Sequence, residues 1–356
     1  MWVGPNWALN GELESTAVYD SNLTARDDGQ DDFYGSLAPK LVLARRNAAT
    51  RLELDAQVVR TWFMDYSEYD STDPQVNLLL AYPDVPSDEP RTHLDLHWGR
   101  LSSTNTDLGR RVRSEVWRGR WDQRVFDTGR TIGAIRIDGR STDFQEQDLN
   151  KNSSYALEGR LAYGVSGAAR LGLGYGHEWT KSRGAPGRGD TEGEEDRVTA
   201  RLFGMILPKL SGSIEGGVAW VSYTGAIERD DSAWIGSANL RWEAAAGTYA
   251  SMRAARYTDY SPEGSTALRS EALVELTREL GRGFSLRAGG GVSQVETYVD
   301  TDVRRADAVV LTAGLAYQLT DRFSAELSER WTRQDEDRDA FDYERHVVTG
   351  EITFLF

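Results

Sequence analysis

The last ten residues, Val347-Val348-Thr349-Gly350-Glu351-Ile352-Thr353-Phe354-Leu355-Phe356, decide how the rest of the chain is read. Val348, Gly350, Ile352, Phe354 and Phe356 fall on one face of an extended strand. Val347, Thr349, Glu351, Thr353 and Leu355 fall on the other. Successive side chains of a strand point to opposite faces, so the segment predicts a strand with one largely apolar face. The same period runs back through the chain. Tyr155, Leu157, Gly159, Leu161 and Tyr163 alternate with smaller or charged residues, as do Val198 to Ile206 and Trp234 to Trp242. The helical spacing i, i+3, i+4 is sustained in no long window.

Between these segments the connections alternate in length. Short ones fall near Asn47-Ala48, Thr128-Gly129, Ser166-Gly167, Pro208-Lys209, Ala246-Gly247, Gly281-Gly283 and Thr320-Asp321, with Pro83 to Pro90 a longer member of the set. Long ones fall near 20–32, 66–74, 102–109, 143–151, 182–194, 224–232, 258–266, 299–305 and 335–342, and they hold runs such as Asp27-Asp28, Asp31-Asp32 and Asp335-Glu336-Asp337. The breaks delimit about 18 strands, with 16 as the alternative, and no linker or plug-sized segment. A propeller blade would need four strands in each repeat of about 40 residues, where this chain has two.

A bilayer admits only helices and closed barrels, because each backbone N–H and C=O must be paired internally. A barrel strand needs about 9–11 residues to cross at a tilt, and most segments here are about 10–15. The reading is therefore all-β: a transmembrane antiparallel up-and-down β-barrel with short periplasmic turns and longer acidic extracellular loops, as one domain over residues 1–356. A β-sandwich would also alternate, with shorter strands, more proline and no long–short rhythm. Tyr19, Trp98, Tyr175, Trp179, Trp220, Trp242, Tyr317 and Trp331 fall near strand ends, where headgroup-level aromatics belong.

Composition first suggests something else. The chain has 356 residues, a net charge of −15, 27% charged residues and no cysteine, and a mean hydropathy of −0.54. In a barrel only alternate residues meet lipid, so the average stays polar. No run of about 18 apolar residues offers a transmembrane helix. The absence of cysteine excludes disulfides, zinc–thiolate sites and a thiol nucleophile. Net acidity disfavours nucleic acid as a partner. Met1-Trp2-Val3-Gly4-Pro5 has neither the basic start nor the apolar core of a signal peptide, which is expected of a cytosolic chain or of a mature form with an added Met.

Two short motifs carry resemblances. The terminal aromatic Phe356, with Phe354 two places before it, resembles the last-strand signal of bacterial outer-membrane proteins and implies the barrel-assembly machinery as a partner. Near the other end, Ala17-Val18-Tyr19-Asp20-Ser21-Asn22-Leu23 precedes a long acidic loop and then Tyr34-Gly35-Ser36-Leu37-Ala38-Pro39-Lys40-Leu41. This resembles the bacterial outer-membrane β-barrel porin families associated with exopolysaccharide export. In motif the resemblance covers about the first 50 residues, and in strand rhythm the whole chain. It implies a Gram-negative outer membrane around the barrel, with its lipid and lipopolysaccharide. It also implies periplasmic or inner-membrane components of polysaccharide export.

With the apolar face toward lipid, the other face lines a lumen rich in charge of both signs. Arg51, Arg136, Arg140, Arg160, Arg197, Arg201, Arg241, Arg269, Arg287 and Arg330 are its candidate substrate path. Guanidinium groups form planar forks that suit carboxylates, phosphates and hydroxyls. Two readings stay open: a wet channel for a polar polymer or solute, either in exopolysaccharide export or as a general diffusion porin, or a scaffold barrel filled by ion pairs and closed by loops. Between Arg110 and Arg124 six arginines interleave with Trp117 and Trp121, which suggests a lumen cluster with a local β-bulge. Either Trp is a candidate for stacking on a glycan or for packing in the aromatic girdle.

An enzyme ranks below these readings. His93 and His97 share a face but stand roughly 13 Å apart, too far for one metal ion. His177 lies toward the outer rim, and partners for His346 cannot be placed from spacing. Loop 335–342 has the oxygen-rich composition of a Ca²⁺ site, against the simpler reading of solvated surface charge. No cofactor or metal is expected.

Overall fold

The computed structural model describes residues 2–4, 6–47, 49–83, 91–105, 108–146, 148–184, 189–225, 229–260, 266–299, 302–337 and 341–356. A short lead-in strand, β1 (Trp2–Gly4), pairs with β2 (Trp7–Asp20). There follow β3 (Asp32–Arg46), β4 (Arg51–Phe63), β5 (Ser71–Tyr82), β6 (Thr92–Asn105), β7 (Arg110–Asp127), β8 (Thr131–Phe144), β9 (Lys151–Gly164), β10 (Ala169–Arg183) and β11 (Thr191–Leu207). The second half contains β12 (Leu210–Gly225), β13 (Arg229–Ala245), β14 (Thr248–Tyr260), β15 (Thr266–Gly281), β16 (Phe284–Val299), β17 (Asp302–Thr320), β18 (Phe323–Glu336) and β19 (Tyr343–Leu355).

From β2 onward every strand pairs antiparallel with its sequence neighbours, and β19 closes on β2 from Val347↔Asp20 to Leu355↔Glu12. The result is a closed 18-stranded antiparallel barrel. The alternation read from the last strand holds in register around the wall. Phe354 pairs with Leu13, Leu41 with Ala56, Leu157 with His177 and Val292 with Val309, all on the outer face. That face carries exposed Leu41, Leu157, Leu173, Val292, Leu311 and Ile352 as an apolar belt. In water such a belt would be an aggregation surface; in a bilayer it is the solvated face. No helix among the described residues is long and apolar enough to cross a membrane, which leaves the strands to do so.

Both chain ends and the short turns share one rim. Two-residue turns need positive φ to match strand twist. Arg282 and Gly283, at φ 51° and 83°, supply it between β15 and β16. On the other rim strand extends into several connections expected from the sequence, among them 102–109, 182–194, 224–232, 258–266 and 299–305. Cross-strand polar pairs such as Gln294 Nε2 to Asp307 Oδ1 at 2.7 Å satisfy side chains beyond the belt, so the ladder continues. The strands span 12 to 19 residues, longer than a crossing requires. Residues 84–90, 185–188, 226–228, 261–265, 300–301 and 338–340, which fall in connections named above, lie outside the described residues.

The seam between first and last strands is clamped at both ends. At the short-turn rim, Phe356 and Gly11 exchange backbone hydrogen bonds of 2.9 and 2.8 Å. Gly11 leaves room for the Phe356 ring, which a Cβ there would meet at 2.2 Å and displace. At the opposite rim, Asp20 is fully buried and accepts from Arg345 Nε at 2.8 Å and Nη2 at 2.5 Å. The Asn22 amide donates to Asp20, and the Ser21 hydroxyl accepts from the His346 amide at 2.8 Å. The Tyr19-Asp20-Ser21-Asn22 element thus closes the barrel.

Candidate functional site

All ten arginines of the candidate path lie in register on the lumen face. The wall from β7 to β11 is the densest. Arg118 pairs with Arg140, Arg120 with Asp138 and Asp122 with Arg136 across β7 and β8. Arg136 then faces Glu158, and Arg201 faces Glu215. Much of this charge is paired. Arg120 reaches Asp138 at 2.7 Å, Arg136 reaches Asp122 at 2.6 Å and Arg160 reaches Glu158 at 2.5 Å. Arg197 lies between Glu158, Glu178 and Glu195 at 3.4–3.8 Å. Elsewhere Arg51 pairs with Glu53, Arg201 with Glu215, Arg269 with Asp259 and Arg287 with Glu326.

One rung brings two unpaired guanidinium groups together. Arg118 and Arg140 are direct cross-strand neighbours, both exposed to the lumen, and neither joins an ion pair among the described residues. His97 is the next residue along the same rung, and its Nδ1 meets Asn77 Oδ1 at 2.5 Å. Together with Arg120, Arg136, Arg160 and Arg197 they line a lumen cavity of about 850 Å³. Like charges directly opposite on antiparallel strands repel, so this rung is an unbalanced cationic patch. Across the barrel the inner face carries both signs: Glu271 and Glu275 on β15, the neighbours Glu326 and Glu351, and Glu12 on β2 share it with Arg241, Arg253, Arg269 and Arg287, and Lys40 pairs with Glu12 at 3.7 Å. Arg330 and Arg241 also lack ion pairs among the described residues. Arg241 instead stacks over Tyr249 at 3.9 Å.

Two hairpins lean into the lumen from the extracellular side. The β5–β6 ladder stops at Gln75↔Gly99, although β6 continues to Asn105. Above that point the outer face of the β6–β7 hairpin packs inside the mouth. Arg111 sits over the Phe63 ring at 4.7 Å, Ser102 donates to Asp73 at 2.9 Å and Thr104 donates to the Leu23 carbonyl at 2.6 Å. Leu23 and Ala25, in the loop after the Tyr19–Asn22 element, are fully buried beneath it. The second ladder to stop short is β13–β14, at Gly236↔Arg256. Above it β14 bends inward until Thr258 donates to Glu195 on β11, and Tyr257, Asp259 and Arg269 share a cavity of about 340 Å³ with Arg140 and Glu178. The aperture is bounded by these two hairpins.

Trp117 and Trp121 stand elsewhere than a lumen role requires. Both lie on the outer face, 57% and 39% exposed, because strand parity sends the arginines inward and the indoles out. Trp117 packs against Trp98 with ring centroids 5.9 Å apart, and both indole N–H groups donate to Glu115. Stacking on a glycan inside the channel is thereby removed. The register shift expected in this segment falls between Arg124 and Phe126. Phe354 and Phe356 are exposed on the outer face at the seam, with stacked rings 6.0 Å apart. Sequence reading missed Arg118 as distinct from its neighbours, and Tyr257, Thr258 and Glu195 as a constriction. Periodicity assigns faces, but it does not say where a ladder ends.

Comparison with known proteins agrees with this geometry. Residues 201–356 match the family model described as "Putative beta-barrel porin 2". No curated protein matches the chain. Among solved structures, the outer membrane protein opdK from Pseudomonas aeruginosa is similar at a TM-score of 0.53 and 12% identity, covering 98% of this chain and 99% of its own. Pseudomonas aeruginosa OccK3 (OpdO) is similar at 0.51 and 11%, covering 98% and 95%. A structure of Pseudomonas aeruginosa OpdK with vanillate gives 0.52 and 11%, covering 98% and 99%. At such identities the likeness concerns the fold. The chain has the closed antiparallel barrel fold of these outer-membrane proteins.

Proposed function

We propose that the barrel is a passive outer-membrane channel for small polar solutes, anionic ones above all, working as one domain over residues 1–356. The observation that carries this reading is the Arg118–Arg140 rung. Two uncompensated guanidinium groups facing a wet cavity favour a passing carboxylate or phosphate, which relieves their repulsion. The ion-paired arginines around them hold the wall rigid and contribute less to selectivity.

Export of an exopolysaccharide rests on the resemblance of the first 50 or so residues and gains no support from the family match. The two inward hairpins favour compact solutes over a polymer chain. A general diffusion porin is consistent with the same geometry and differs only in how strongly solutes are selected. Phe354 and Phe356 are the proposed contact for the barrel-assembly machinery, and lipid and lipopolysaccharide the surroundings of the belt.

Reversal potentials in planar bilayers under a salt gradient test the channel reading. The barrel should conduct with anion preference, and Arg118→Ser with Arg140→Ser should move the reversal potential toward zero or past it. Arg136→Ser, in an ion pair, should move it less. Vanillate serves as a carboxylate probe and should interrupt the current in the parent protein more than in the double variant. A barrel that passes no current, or one whose selectivity ignores the double substitution, would overturn the proposal.

A further inference from the structure

The split between β13 and β14 leaves a feature that a solute channel does not need. Residues 229–235 of β13 pair with β12, and 257–260 of β14 pair with β15. No β13–β14 rung joins them above Gly236↔Arg256 among the described residues. Where β14 bends inward, the outer face of the wall is left concave. A groove of about 780 Å³ runs there, floored by Ala238, Ala254, Ala272 and Val292 and bordered by Trp234 and Trp331, with Asp307, Arg333 and Asp335 at its rim and Glu215 and Glu271 on its lumen side. Register places the four floor residues and both Trp on the lipid-facing side.

Arg256 stands at the split. By strand parity it belongs to the outer face, where a cation is costly within the apolar belt. It lines the outer groove and the lumen cavity alike. Its guanidinium lies over the Trp234 ring at 4.4 Å and donates through Nη1 to Ser270 at 2.6 Å, while its buried Nε has no hydrogen-bond partner. One charged group therefore joins an aqueous chamber to an apolar groove through a break in the wall.

We propose that this split binds a single-chain anionic amphiphile, a long-chain carboxylate in kind, with its headgroup on Arg256 and its chain in the groove. The bilayer covers the groove, so its occupant is a chain that partitions into lipid. Arg256 lies on the periplasmic side of Trp234, below the headgroup level that such a Trp marks. A lipid of the outer leaflet would keep its phosphates above it. A headgroup at Arg256 instead meets the wet cavity behind the split, which selects a molecule with one anionic end and one apolar chain. The inference goes beyond solute passage and is independent of it, since it is tested without measuring current.

The test is tryptophan quenching in neutral detergent micelles by a dibrominated stearate, with its methyl ester as the uncharged control. The acid should quench saturably, and Trp234→Phe should remove the saturable component. Charge-assisted recognition predicts binding about tenfold weaker for the ester, and about tenfold weaker for Arg256→Gln, with Arg256→Lys between. Ala254→Trp should fill the groove and abolish saturable quenching; Ala272→Leu replaces it if that variant does not fold. Each variant is first shown to migrate as a folded, heat-modifiable barrel. Quenching that never saturates, is equal for acid and ester, or is unmoved by Arg256→Gln would overturn the proposal.

Discussion

The seam between β19 and β2 and the hairpin of β13 and β14 make an instructive pair. The seam joins the two ends of the chain, so its strands are as far apart in sequence as any. Yet it is paired from Gly11 and Phe356 at one rim to Ser21 and His346 at the other. The β13–β14 hairpin turns through two residues and should pair most easily. It nonetheless separates above Gly236 and Arg256. Proximity along the chain does not set the length of a ladder. What holds the extracellular end does: Asp20, Ser21 and Asn22 bind the far strand at the seam, whereas Thr258 at the split binds β11 instead of β13.

The largest effect is expected from breaking the clamp. Asp20→Ala leaves Arg345 without the partner for which it was desolvated, a loss of about 3–5 kcal/mol for buried pairs. Urea unfolding in micelles followed by tryptophan fluorescence should show the loss, and Asp20→Asn should fall between. An unchanged midpoint would remove the clamp from this account. A smaller effect should follow from freeing the split. Thr258→Val with Glu195→Gln removes a hydrogen bond of about 1 kcal/mol, so the β14–β15 hairpin should leave the lumen about fivefold more often. Single-channel records should then show longer open times, and identical records would mean that the bond does not hold the hairpin.

The smallest effect concerns the rim where the two regions are alike. In the turn after β7 the Gly129 amide donates to Asp127 at 2.7 Å, and Arg124 pairs with it at 2.7 Å. The amide first, then the guanidinium, holds the Asp127 carboxyl below the usual carboxylate range. A depressed pKa contributes stability above the ordinary value that is lost as pH falls through the depressed one. Asp127→Asn should therefore flatten a small acid-side slope in melting temperature and leave neutral pH almost unchanged. Parallel curves for variant and parent would count against this.

Much of this was legible in advance. The period of two around Ile352 and Phe354 predicts the barrel, because a strand buried in lipid on one face can hold only one register. The same parity put Arg136, Arg140, Arg160 and Arg201 inside. It also put Trp117 and Trp121 outside, had it been applied to them strictly. The Arg118–Arg140 rung was harder to see, because whether a cation is compensated depends on which carboxylate stands beside it on the next strand. That needs the register of two strands at once.

Strand, closure and face thus follow from the sequence by itself, because alternation and the demand for paired backbone groups in a bilayer leave no other arrangement. The tertiary structure alone decided where ladders stop, which hairpins lean inward, and which arginines stay unpaired. Those outcomes turn on contacts between residues distant in the chain, Thr258 with Glu195 and Arg111 with Phe63, whose small energies no local pattern encodes.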